Sequence, residues 1–71
     1  MELELLAKDT NSGEQGCPSV HLDRADLQLV VQGEHVDDGE LPNFLPGEGG
    51  VRISPAIVLE AMRIYRAKGL A

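Results

Sequence analysis

Cys17 has the highest intrinsic reactivity in this chain, since a thiolate is both a nucleophile and a metal ligand. It follows a glycine-containing loop and precedes Pro18, with His21 four positions on. A thiol–imidazole couple must lie within hydrogen-bond reach. Four residues of strand would hold the two roughly 13 Å apart, unless the chain bends at Pro18. Cys17 is therefore expected to pack as a small apolar side chain, with a reactive thiol as the alternative. Cys17, His21 and His35 could also gather around a metal. A structural zinc site takes four ligands, announced by short paired spacings such as C-x2-C or H-x3-H. Neither spacing occurs, so no metal is expected.

Two further stretches invite a chemical reading. Asp37-Asp38-Gly39-Glu40 lacks the acid spacing of a calcium loop and reads as a solvated acidic surface. Gly47-Glu48-Gly49-Gly50 is glycine-rich but lacks the Lys-Ser/Thr of a phosphate loop, so it reads as a backbone turn. Nothing forces two titratable groups together as an acid/base dyad. No catalytic and no cofactor-binding residue is expected. The candidates that remain are contact residues: Asp37, Asp38 and Glu40 in the acidic loop, with Arg63 and Arg66 near the end of the chain.

Charge sharpens that reading. Residues 1–50 hold eleven acids against Lys8 and Arg24, a net of −9, and residues 51–71 hold Glu60 against four cations, a net of +3; together these make the overall −6. An acidic chain gains nothing from phosphate attraction, so a protein partner with a basic surface is expected and nucleic acid is not. A lone cysteine suits a reducing compartment. No apolar run approaches the ~20 residues that span a bilayer, so the chain is expected to be cytoplasmic and off the membrane. At 71 residues it is expected to be one small domain, 1–71, with 1–16 partly flexible. A homodimer stays open.

The elements that would position these residues can be read from periodicity. Leu3 and Leu5 alternate with Glu2 and Glu4, placing the leucines on one face of a strand, although the same residues also form helices well. Val20 and Leu22 alternate with Ser19 and His21. Leu27, Leu29 and Val31 then alternate along the clearest strand, with all three expected inward. Four polar residues join these two runs, as in a β-hairpin. Residues 34–50 are turn-rich yet carry Val36, Leu41, Phe44 and Leu45, which predicts a packed loop with a short helical turn near Asp38–Asn43 and a tight turn at Pro46-Gly47. Val51 and Ile53 form a short strand. Ser54 then caps a helix, Pro55 fills its first position, and Gly69 stops it. Ile57, Val58, Ala61, Met62 and Tyr65 make its buried stripe. The expected fold is α+β: a small antiparallel sheet of three to four strands around a central β-hairpin, packed by one C-terminal helix lying across the hairpin and the Val51–Ile53 strand.

The runs Gly16-Cys17-Pro18-Ser19-Val20, Leu29-Val30-Val31-Gln32-Gly33, Leu45-Pro46-Gly47-Glu48 and Val51-Arg52-Ile53-Ser54-Pro55 resemble a group of small uncharacterised actinobacterial proteins. These share Cys-Pro-Ser/Thr-Val, a Val-Val-Gln-Gly strand, a Pro-Gly-Glu turn and a Val-x-Ile strand leading into a helix. The likeness spans about residues 16–62. Its members look like companions of helix-turn-helix regulators, which implies a regulatory, partner-binding role. Ser54 stands where a proline often precedes their helix. A second likeness, through Pro46-Gly47-Glu48 and Val51–Ile53, is to swapped-hairpin antitoxins and transition-state regulators, which bind DNA as dimers through a basic hairpin. The hairpin expected here is acidic.

Three functions follow. The leading one is a non-enzymatic protein-interaction module that acts as a regulatory accessory. The alternatives are a dimeric DNA-binding regulator or antitoxin, and a thiol-dependent carrier or redox protein using Cys17.

Overall fold

The computed structural model describes residues 1–10 and 18–70. Its centre is the hairpin of β2 (Ser19–Asp23) and β3 (Gln28–Gln32), paired antiparallel with Val20 opposite Val31 and Leu22 opposite Leu29. The polar link between them closes on its own side chains. Asp23 accepts from the Ala25 N–H at 3.0 Å, and Asp26 accepts from the Gln28 N–H at 3.0 Å. The Leu27 N–H donates to the Asp23 carbonyl at 2.7 Å. This closure sets Leu27 at a φ of +61°, where a bulky side chain costs about 1–2 kcal/mol.

β1 (Leu3–Lys8) pairs antiparallel with the other edge of β2, giving the order β1-β2-β3. Its faces are the reverse of the expected ones. Glu4 lies opposite Leu22 and shares its helix-facing side, while Leu3 and Leu5 are about half exposed. The register then slips between Leu5 and Ala7, so that Leu6 and Ala7 are both buried. Alternation defines two faces without saying which is inner, and a bulge swaps them. Here Glu4 is held inward by cations: its carboxylate takes Arg24 Nη1 at 3.3 Å and also bonds Lys68 Nζ. The Lys68 hydrogen bond, with Arg24 beside it, keeps the Glu4 carboxyl below the usual carboxylate range.

α1 (Pro55–Ala67) starts and stops where the sequence predicts. Ser54 Oγ accepts from the Ala56 N–H at 3.3 Å, Pro55 opens the first turn, and Gly69 closes the end at a φ of +69°. The helix packs on β1 and β2, burying Ile57 and Ala61 against Leu6, Ala7, Val20 and Leu22. Ile53, Met62, Ile64, Tyr65 and Leu70 close around that core. Val58 departs from the expected stripe and is exposed, because the helix leans over β1 and β2 and turns this flank away from them.

The fold is α+β, but its sheet is divided. β5 (Gly50–Arg52) does not extend the layer under the helix; it pairs antiparallel with β4 (Glu34–Val36) in a separate two-stranded ribbon. The break falls at Gly33. A Cβ there would stand 2.6 Å from the Arg52 carbonyl oxygen, a contact that only glycine permits. Close approach of the β3–β4 link to β5 thus peels the chain off the main sheet. Among the described residues no helix is long and apolar enough to cross a membrane.

Candidate interaction site

The ribbon carries residues 37–49 at its far end as an arm. The predicted short helical turn is present as a 3-10 turn over Asp38–Glu40, with the Glu40 N–H donating to the Asp37 carbonyl at 3.0 Å. The predicted tight turn is also present. Pro46 and Gly47, the latter at a φ of +88°, form the centre of a type II turn in which the Glu48 N–H donates to the Leu45 carbonyl at 3.0 Å. Glu48 Oε1 in return accepts from the Leu45 N–H at 3.0 Å. Leu41 folds back onto β5, where a Cβ on Gly50 would lie 2.7 Å from its Cδ1. Leu41 is thus packed on its own ribbon, whereas Leu45, expected to pack as well, is 61% exposed. β4 and β5 make no substantial contact with α1 or with the three-stranded sheet.

Asp37, Asp38, Glu40 and Glu48 are all exposed on this arm, as is Glu34 on β4, and no Lys or Arg lies between Gly33 and Val51. Among the described residues, Asp37, Asp38 and Glu40 have no side-chain hydrogen bond and no ion pair. The three acids singled out from the sequence therefore stand together as uncompensated charge.

The two arginines differ. Arg63 is committed to Glu60 by two hydrogen bonds, Nε to Oε2 at 3.0 Å and Nη2 to Oε1 at 2.5 Å. That contact raises the Arg63 pKa and lowers that of Glu60. Arg66 is exposed, with no ion pair among the described residues. The structure does not gather the acids with either arginine into one cluster: the acids end the arm, and the arginines lie on α1.

Cys17 lies outside the described residues, as does the rest of 11–16. His21 sits on β2 with its Nε2 2.9 Å from Ser19 Oγ, and His35 sits on β4 opposite Val51. The two histidines belong to different sheets. Among the described residues no three His, Cys, Asp or Glu side chains converge as metal ligands. A cleft lies between β1 and the first turns of α1, lined by Leu5, Leu6, Lys8, Asp9, Ile57 and Glu60.

Sequence reading missed the exposure of β3. Leu29 and Val31 face the helix side of the sheet yet are 42% and 40% exposed, and Leu27 at the head of the strand is 45% exposed. The signal was available in one form only: a single predicted helix set against three or more strands. No family model, no curated protein and no solved structure matches the chain.

Proposed function

We propose that this chain is a non-enzymatic protein-interaction module, a regulatory accessory that docks its acidic arm on a basic surface of a partner protein. The observation that carries this reading is the set Asp37, Asp38 and Glu40, held on one exposed turn without a counter-charge among the described residues. Clustered like charges with no internal partner lower the stability of the arm and gain free energy only against an opposite potential. The arm also belongs to a two-stranded ribbon, which is marginal in water until something packs on it. The resemblance to companions of helix-turn-helix regulators suggests a regulatory partner. Arg66 is a secondary contact, and a lone cysteine suits a reducing compartment such as the cytoplasm.

The test is affinity capture from native-like lysate with the full chain, set against Asp37→Lys/Asp38→Lys. One defined protein is expected on the wild type and absent from the variant, with binding that weakens as salt rises. Matching circular dichroism of the two chains assigns the difference to the arm. Equal capture by both chains overturns the reading. Retention of nuclease-sensitive material in place of a protein also overturns it, in favour of DNA binding.

A further inference from the structure

β3 is the open edge of the three-stranded sheet among the described residues, and it lacks the devices that usually protect such an edge. It has no charged residue, no proline and no bulge within Gln28-Leu29-Val30-Val31-Gln32. Its helix-side residues also lack a roof. Glu60, Ala56 and Ile57 lie over the β1 side, and the helix packs on β1 and β2, which leaves Leu29 and Val31 uncovered.

We propose that β3 pairs antiparallel with β3 of a second copy of this chain, giving a continuous six-stranded sheet with two helices on one face. Two observations select this occupant. The strand Gln28-Leu29-Val30-Val31-Gln32 is close to its own reverse: centred on Val30, Leu29 meets the partner's Val31, which suits an isologous two-fold contact. Second, Leu27 keeps a bulky apolar side chain at a φ of +61° where glycine would relieve the backbone, and it lies exposed at the head of this same edge.

Charge gives the contact a salt signature. Each chain carries a net charge of −6, so the dimer tightens as salt screens the repulsion between two copies. Docking of the acidic arm on a basic partner responds in the opposite sense. The two proposals use different residues and fail separately.

The experiment is sedimentation equilibrium of the full chain in low and high salt, with Leu29→Lys and Val31→Lys alongside. The wild type is expected to be a dimer whose dissociation constant falls with salt. Each variant is expected to weaken it at least about tenfold while keeping the wild-type circular dichroism, because both side chains are already two-fifths exposed in the monomer. Amide hydrogen exchange supplies a readout independent of the variants: the β3 amides turned away from β2 are protected in the dimer and lose protection on dilution. A wild type that stays monomeric to millimolar concentration overturns the proposal, whether or not another strand docks there. Dimers left intact by both variants, or unprotected β3 amides in a dimer, also overturn it.

Discussion

β2 and β3 are neighbours in one hairpin, alternate alike and turn the same face toward the helix, yet they end in opposite environments. Val20 and Leu22 are 1% and 0% exposed, whereas their cross-strand partners Val31 and Leu29 are 40% and 42% exposed. Dimensions explain the difference. Strands lie about 4.8 Å apart and a helix with its side chains is about 10 Å wide, so one helix roofs about two strands. α1 spends its width on β1 and β2. The same pattern of residues therefore builds a core in one strand and an exposed edge in the next.

The sharpest way to break this comparison is truncation of the paired leucines. Leu22→Ala empties the centre of the core and is expected to lower unfolding stability by about 2–5 kcal/mol. A chain of this length has only roughly 4–11 kcal/mol in total. Leu29→Ala, measured at concentrations where the chain is monomeric, is expected to lose less than half as much. Equal losses in chemical denaturation would show that β3 is covered after all.

Next in size is Gly33→Ala, which drives a methyl into the Arg52 carbonyl oxygen. A loss of about 1–3 kcal/mol is expected, with the chemical-shift changes confined to β3, β4 and β5. Changes spread through α1 would show that the ribbon and the body are one cooperative layer. Leu27→Gly works in the other direction. Relief of the left-handed backbone is expected to raise monomer stability by about 1 kcal/mol or less, partly offset by the freedom glycine adds to the unfolded chain. The same change is expected to weaken self-association, so thermal melts and sedimentation should move in opposite senses.

The smallest effect expected is on pH dependence. Asp23 accepts the N–H groups of Ala25 and Glu2, which hold its carboxyl below the usual carboxylate range. A depressed folded-state pKa means that its stabilisation is complete above the unfolded value of about 3.9 and fades as pH falls toward the folded value. Asp23→Asn is therefore expected to flatten the loss of stability between about pH 5 and pH 3, read by denaturant melts at each pH. An unchanged slope would remove Asp23 from the clasp that joins β1 to the hairpin.

Several elements were legible in the sequence because their causes are local. Ser54, Pro55 and Gly69 set the helix limits through caps and backbone angles within one turn. The Pro46-Gly47 turn and the four-residue hairpin link follow from the same short-range chemistry. The candidate acids were legible too, since a run of exposed carboxylates needs no tertiary partner to stay at the surface. β1 was misread because its inner face depends on a bulge and on Lys68, which lies 64 residues away. The Val51–Ile53 strand was given the wrong neighbours because pairing within a ribbon and pairing within a sheet look identical along the chain.

The amino-acid order by itself determined where the helix begins and ends, where the turns fall, and that one arm carries acid without a nearby base. Each of these rests on interactions a few residues in range. Only the tertiary structure decided which face of β1 is inner, that the strands divide into two sheets, and that Leu29 and Val31 lie outside the roof of α1. These depend on how wide a helix is, and on which distant groups reach one another.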